Sequence, residues 1–396
     1  MTNLLAFIIG LFLIAALLRV DFFFYILYFL FGIYLVSRIW TERALRSVDV
    51  HREYLNRAFL GDQVQIKLDI RNKSWLPMPW LRLHESLPIH LKSPNFIRSV
   101  FSLWSKEKRT LDYELDCRRR GYYDIGPLTL YSGDLFGMIS YEKVMAHGDY
   151  LIVYPRIVPL KAIGVPAQTP FGSVPTKQRI YEDPSRMVGV RDYQSGDSLR
   201  HIHWKTTATK GTLQVKRFEP AISIESQIFL NLNRTEYTVQ RAISATELAI
   251  TTAASIAHCL IEQRQTVGLA SNGLDPLADP EQAQSIILPP RKGQEQLMHI
   301  LDVLARVQMG EQIPFNDLLR QARLHLTWGS TGIIITADAD EALFDNLLLM
   351  KRAGFHVILV VLDPRAPFAN VKQRAKEVGI AAYEVWEERD LDVWRI

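Results

Sequence analysis

Gly332-Ile333-Ile334-Ile335-Thr336 and His356-Val357-Ile358-Leu359-Val360-Val361-Leu362 are two almost wholly apolar runs near the end of a chain of 396 residues. Short continuous apolar runs are typical of strands buried on both faces of a parallel sheet. A helical pattern over residues 343–353 separates them. Strands that alternate with helices predict a doubly wound α/β domain, which we expect to occupy residues 221–396.

Polar side chains stand at the carboxyl ends of these predicted strands. An earlier strand over residues 228–233 ends with Asn231 and Asn233, and Asp338 and Asp363 follow the two apolar runs. Ligands of doubly wound sheets bind at the carboxyl ends of the strands. This edge of the sheet is therefore a candidate site.

The chain before this domain has a different pattern. Residues 63–70 and 110–117 alternate polar and apolar side chains, with glycine and proline turns between such runs. Half-buried strands alternate in this way. We predict an antiparallel β-sandwich-like domain over residues 47–155, followed by a proline-containing connector over residues 156–220.

Residues 1–40 are the most apolar part of the chain. Two uninterrupted apolar runs, 4–18 and 22–36, flank the short polar linker Arg19-Val20-Asp21. A membrane-spanning helix needs about 20 residues, so each run spans only with its flanks. We predict a transmembrane helical hairpin over residues 1–40. A cleaved signal peptide would need a basic start, and a single long span would bury the charges of the linker.

Basic side chains follow the second run: Arg38, Arg43, Arg46, Arg52 and Arg57. Loops rich in arginine and lysine stay on the cytoplasmic side of a membrane. We therefore expect a multi-pass protein of the inner cell membrane whose soluble domains are cytoplasmic.

The overall composition excludes several classes of protein. Hydrophobic residues make up 48% of the chain, which excludes a disordered protein. The net charge of +4 argues against a dedicated nucleic-acid binder, and we expect no nucleic-acid partner. Cys117 and Cys259 are too few for a disulfide framework or a cysteine-based zinc site, and we expect both to be buried.

A dense cluster of charged and aromatic residues lies late in the connector. It comprises Arg191, Tyr193, Gly196, Asp197, Arg200, Ile202, Trp204 and Lys205. At this spacing the cluster resembles the signature of the domain-of-unknown-function 58 family. The runs at residues 119–123 and 134–137 resemble the same family.

The resemblance implies a membrane protein whose C-terminal half has a von Willebrand factor type A-like fold. It also implies a gene near one for a MoxR-type AAA ATPase, and no established enzymatic activity. Some family members keep a metal-ion-dependent adhesion site of the form Asp-x-Ser-x-Ser. The matching positions here are Asn231, Asn233 and Thr235, with Asp338 after a later strand. The leading carboxylate is missing, so we expect neither a metal nor another cofactor.

Two interpretations of the signature remain open. It is either a structural clamp or an exposed docking surface. In the first, Asp197 pairs with Arg191 or Arg200, and Ile202 and Trp204 alternate onto one buried face. In the second, the polar side chains contact a partner.

We therefore expect a membrane-anchored, cytoplasm-facing scaffold without catalysis, partnered by a AAA ATPase. One alternative is a metal-dependent hydrolase centred on Asp197, His201 and His203. A second alternative is a protein that binds lipid or a polymer of the cell envelope.

Overall fold

The structure is a computed structural model that describes residues 9–10, 12, 21–92, 100–135, 137, 139–145, 148–160, 182–194, 198–220, 225–278, 285–324, 326–327 and 329–395. The chain divides into two compact units. The first comprises Met1–Arg156 and Leu301–Val307, and the second comprises Ile157–Ile300 and Gln308–Ile396.

The first described helix is α1, Asp21–Arg46. Its 26 residues are mostly aromatic and aliphatic, and its last turn carries Arg43 and Arg46, which suit the negative end of the helix dipole. The part Phe24–Arg46 is long and apolar enough to cross a membrane, and few of its residues are buried within the protein. The first predicted span, residues 4–18, lies almost entirely outside the described residues.

Strands make up most of the rest of the first unit. They are β1 (Val48–Glu53), β2 (Arg57–Phe59), β3 (Gln63–Asn72), β4 (Met78–Glu85), β5 (Leu91–Lys92), β6 (Val100–Leu103), β7 (Lys108–Cys117), β8 (Gly121–Ile125), β9 (Leu128–Gly133), β10 (Ser140–Met145) and β11 (Asp149–Tyr154). They form three sheets with the orders β1-β3-β7-β5, β10-β9-β4-β6 and β2-β11-β8. The pairings are antiparallel apart from β2 with β11.

The alternating sequence of β3 sets which face is buried. Val64, Ile66, Leu68 and Ile70 point into the core, while the residues between them are exposed or half-buried. The inward faces of all three sheets share one apolar core. The sheet-rich content predicted for this region is confirmed.

The connector contains more regular structure than the sequence predicts. β12 (Glu182–Asp192) and β13 (Gln214–Pro220) pair antiparallel, and between them lie a 3-10 turn, Leu199–His201, and the short helix α2, Trp204–Lys210. The helix ends at Gly211, whose φ of 75° is the left-handed conformation that glycine adopts without strain. The described part of the signature, residues 191–194 and 198–205, therefore lies on a β-hairpin with a helical insertion.

The second unit is built on a six-stranded sheet. Its strands are β14 (Glu225–Leu230), β15 (Thr266–Ser271), β16 (Ile286–Arg291), β17 (Thr331–Thr336), β18 (His356–Val361) and β19 (Ala381–Glu384). The following helices are described: α3 (Ala242–Glu262), α4 (Gln294–Arg306), α5 (Phe315–Arg323), α6 (Glu341–Arg352) and α7 (Phe368–Val378).

The strand order in this sheet is β16-β15-β14-β17-β18-β19, and only the edge strand β16 is antiparallel to its neighbour. The predicted buried parallel strands are confirmed, since every residue of β17 is buried. Helix α3 is also long and apolar enough to cross a membrane, but most of it is buried in the core. The chain leaves β14 in one direction to β15 and returns to β17 on the other side, so a crevice opens between the carboxyl ends of β14 and β17.

Candidate functional site

Asn231 occupies the crevice at the carboxyl end of β14, and all of its side-chain polar atoms are used internally. Its Oδ1 accepts hydrogen bonds from the Asn233 backbone N–H and from Asn272 Nδ2, both at 3.0 Å. Its Nδ2 donates to Thr336 Oγ1 at 2.9 Å and to Glu236 Oε2 at 2.5 Å. The amide therefore joins neighbouring strand ends, which a carboxylate could not do because it has no donor.

Asn233 and Thr235 are also engaged with each other. Asn233 Oδ1 accepts from the Thr235 N–H at 3.1 Å and from Thr235 Oγ1 at 2.9 Å. These bonds hold the 3-10 turn Arg234–Glu236 that follows β14. The sequence predicts this group as a degenerate metal site, and here its oxygens stabilise the turn.

The guanidinium group of Arg365 lies near Asp338, the last residue of the predicted degenerate metal site. Arg365 Nη2 donates to the Thr235 carbonyl at 3.0 Å, and Arg365 Nε lies 4.0 Å from Asp338 Oδ2. The other carboxylate oxygen of Asp338 accepts from the Ala339 N–H at 2.9 Å. The positive charge beside Asp338 is thus supplied by the chain itself.

A small cavity of about 160 Å³ is lined by Thr235, Asp338 and Arg365, together with Asp340 and Glu236. Burial raises the pKa of the Glu236 carboxyl, and the hydrogen bond from Asn231 opposes that rise. Within the described residues, no three or more histidine, cysteine or carboxylate side chains are grouped so that they could hold a metal. Glu236 and Arg365 were missed from the sequence because neither belongs to the adhesion-site pattern.

Asp363, the remaining strand-end carboxylate, has a structural role. Its Oδ2 accepts from the Thr238 N–H at 3.0 Å and from Thr238 Oγ1 at 2.5 Å, and its Oδ1 lies 3.4 Å from Arg241 Nη1. The Arg241 guanidinium in turn lies 3.4 Å from the centre of the Trp386 ring. This group of contacts fixes the loop that leads into α3.

The signature residues separate into a buried set and an exposed set. Ile202 is only 5% exposed and bridges to Val215 on β13, while the Tyr193 N–H donates to the Leu213 carbonyl at 2.9 Å. Arg191 stands on β12 opposite Val215. Gly196 and Asp197 lie outside the described residues, and so do the predicted ion pairs of Asp197.

Trp204 is 68% exposed, so the expectation that it shares a buried face with Ile202 is wrong. The alternation breaks at His203, whose Nδ1 accepts from the Thr206 N–H at 3.1 Å and caps the start of α2. Trp204 is therefore the first residue of a helix and not the next residue of a strand. Arg200 and Lys205 are exposed beside it in sequence, together with Leu199.

His201 and His203 do not form the extended pair that a shared metal site would need. His201 ends the 3-10 turn, while the ring of His203 is used as a helix cap. The third member of the hydrolase hypothesis, Asp197, lies outside the described residues.

Comparisons with known proteins agree with the signature. Residues 189–325 match the model of a family described as protein of unknown function DUF58. A curated relative, the uncharacterized protein YeaD of Bacillus subtilis (strain 168), is 27% identical over 284 residues, which are 70% of this chain and 67% of that protein. The resemblance to the domain-of-unknown-function 58 family is therefore confirmed.

Among solved structures, a von Willebrand factor type A protein from Catenulispora acidiphila is 10% identical over 46% of this chain and 42% of that one, with a TM-score of 0.32. A CARDB domain from Pyrococcus furiosus, determined in complex with di-metal ions, is 11% identical over 27% of this chain and 91% of its own, with a TM-score of 0.20.

Proposed function

We propose that this protein is a membrane-anchored, cytoplasm-facing adaptor without catalysis of its own, and that it docks a protein partner through the signature. The observation that carries the proposal is the exposed Trp204, which stands between basic side chains in the family's most specific motif. Exposed tryptophan and arginine are enriched at the energetic centres of protein interfaces. A clamp would instead need Trp204 in the core.

The charge of this surface indicates the chemistry of the partner. Arg200, Lys205 and Lys210 are exposed on the helical insertion, beside the exposed apolar side chains Leu199 and Trp204. Charge complementarity favours an acidic surface with an apolar anchor point. We propose that the partner is a MoxR-type AAA ATPase, which the family resemblance implies.

Asn231 and Asp338, two residues of the predicted degenerate metal site, support an adaptor over an enzyme. The polar atoms of Asn231 are committed to internal hydrogen bonds, and Arg365 lies beside Asp338. A general base or nucleophile must instead face the substrate. We also propose that this domain belongs to the von Willebrand factor type A-like class, on the strength of its strand order and the family resemblance.

The membrane arrangement in the proposal is a two-span hairpin. Helix α1 supplies an exposed apolar span, and its C-terminal half carries Arg38, Arg43 and Arg46. Arginines at this end favour retention of the following domains in the cytoplasm.

Affinity purification of the full chain from native membranes tests the proposal. We expect Trp204→Ala and Lys205→Ala each to reduce recovery of the AAA ATPase at least fivefold, while Leu324→Ala, which alters another exposed side chain, leaves it unchanged. Fivefold corresponds to about 1 kcal/mol, the usual threshold for an important interface residue. Normal recovery with both signature variants would contradict the docking surface. A bound metal whose loss abolished hydrolytic activity would favour the alternative.

A further inference from the structure

The end of the first unit next to α1 carries exposed aromatic and basic residues. A span needs about 20 residues, and the twentieth residue of α1 counted from Asp21 is Trp40. If α1 crosses the membrane as proposed above, Trp40 lies at the membrane surface. The inference that follows rests on that proposed anchoring.

No flexible linker separates the span from the folded unit. Ala44 and Leu45, in the last turn of α1, are buried in the core of the β-sheets, and β1 begins at Val48. Only about 6 Å of helix separates Trp40 from Ala44. The first unit is therefore held directly against the bilayer and does not hang from it on a tether.

Trp75 lies beside Trp40, near the expected position of the membrane surface. The two ring centres are 6.5 Å apart, and Trp40 Nε1 donates to the Pro77 carbonyl at 2.9 Å, which fixes the loop between β3 and β4 against the helix. Although its neighbour is half-buried, Trp75 is 74% exposed.

A second loop with an exposed tryptophan is tied to the first. Trp104 is 70% exposed, and Lys106, two residues later, donates from its backbone N–H to the Ser74 carbonyl at 3.2 Å. Buried Asn72 joins both loops, because its Nδ2 donates to the carbonyls of Leu76 at 2.9 Å and Trp104 at 3.0 Å. The two tryptophans are thus carried on loops that a buried amide holds in place.

Basic side chains are exposed on α1 and on the two loops that carry the tryptophans. Arg38 and Arg43 are exposed on α1, and Lys73 and Lys106 are exposed on the two loops. Lys73 contacts Asp49 at 2.7 Å, in a pair that is itself solvent-exposed. We call Trp75, Trp104, Lys73 and Lys106 the collar.

We propose that the collar is a lipid-binding surface that contacts the anionic headgroups of the bilayer crossed by α1. Tryptophan is enriched at membrane–water interfaces because its ring is apolar and its N–H is polar. Lysine and arginine near an anionic leaflet are attracted by its surface potential. The contact would fix the orientation of the first unit on the membrane.

Site-specific fluorescence of the full chain in nanodiscs tests this proposal. An environment-sensitive dye is attached to Trp75→Cys or Trp104→Cys, while the native Cys117 and Cys259 are buried. Matched controls are Leu55→Cys and Ile89→Cys, which replace exposed apolar residues beyond the opposite ends of β1 and β4, roughly 20 Å or more away along these strands. Tyr28→Cys in α1 reports the membrane span itself.

We expect brominated lipids to quench the dye at positions 75 and 104 but not at 55 and 89. Anionic nanodiscs should give stronger quenching than zwitterionic ones, and the double change Lys73→Gln, Lys106→Gln should reduce that difference. Quenching at position 28 with none at 75 and 104 would overturn the collar and leave the anchoring intact. A lack of quenching at position 28 would overturn the anchoring, and the collar with it.

Discussion

Ile202 and Trp204 are two residues apart in the signature, but Ile202 is buried and Trp204 is exposed. We therefore expect them to have different roles. Ile202→Ala removes buried methyl and methylene groups opposite Val215, which typically costs about 2–5 kcal/mol of stability. Trp204→Ala alters an exposed residue, for which a change within about 0.5 kcal/mol is expected. Thermal unfolding of the two full-length variants measures this. An equal loss of melting temperature in both would mean that Trp204 is packed in solution.

Arg52 is one of the basic residues from which the orientation in the membrane is predicted. Its side chain also forms ion pairs inside the fold. Its side chain is 7% exposed and forms ion pairs with Glu85, which is 2% exposed, and with Asp149. Tyr113 donates its hydroxyl hydrogen to Glu85, and burial raises the pKa of that hydroxyl. Arg52 therefore has a role inside the fold in addition to its place among the basic residues that predict the orientation in the membrane.

Removal of one partner from this network should be costly. Glu85→Gln leaves the Arg52 guanidinium buried without the more buried of its two counter-charges, and such losses typically cost about 3–5 kcal/mol. Glu114→Gln, on the exposed face of β7, is the matched control and should change stability by less than about 0.5 kcal/mol. Urea unfolding of both variants compares the two. Similar midpoints for Glu85→Gln and the control would contradict the assigned importance of the network.

At the scale of elements, the sequence predicts what burial dictates and misses what distant contacts dictate. The alternation of β3 and the apolar run of β17 both match their burial in the structure.

The spacing of Ser244 and Glu247 suggests a capping box at the start of a helix. The helix begins earlier, at Ala242, and Ser244 Oγ donates to the Arg241 carbonyl within it. Asp363, far along the chain, holds the preceding loop, and local sequence cannot reveal that contact.

The strand-end site also combines residues that the local sequence predicts with residues whose roles depend on distant contacts. The sequence identifies Asn231, Asn233 and Asp338 because they follow strands, whose carboxyl ends share one edge of a parallel sheet. It does not identify Arg365 or Asn272, since their roles arise only when separate loops meet in the folded chain. Trp204 is misassigned for a local reason, because the cap at His203 converts a strand period into a helix start.

The carboxyl ends of β14 and β17 should not bind Mg²⁺ tightly. Mg²⁺ prefers anionic oxygen in near-octahedral geometry, and Asn231 offers a neutral amide oxygen that already accepts two hydrogen bonds. The Arg365 guanidinium beside Asp338 adds repulsion toward a cation. Titration calorimetry on the full chain should show no micromolar Mg²⁺ affinity. Micromolar binding that Asp338→Ala abolished would contradict this prediction.

For the whole molecule, the proposed membrane anchoring predicts on which side of the membrane the folded units lie. We expect both termini in the cytoplasm, because two short apolar runs flank Arg19-Val20-Asp21 and basic residues follow the second run. A single span would place the termini on opposite sides. Green fluorescent protein, which fluoresces only when it folds in the cytoplasm, is fused before Met1 in one version and after Ile396 in another.

The two-span arrangement predicts fluorescence from both fusions, each recovered in the membrane fraction. Fluorescence from the C-terminal fusion alone would indicate a single span, since the basic flank of α1 would still retain the folded units while the N-terminus crossed. If instead the C-terminal fusion were dark and alkaline phosphatase at the same position were active, the units would be outside the cytoplasm. A cytoplasmic AAA ATPase could then not reach Trp204, so this measurement also decides whether the docking surface can serve the proposed partner.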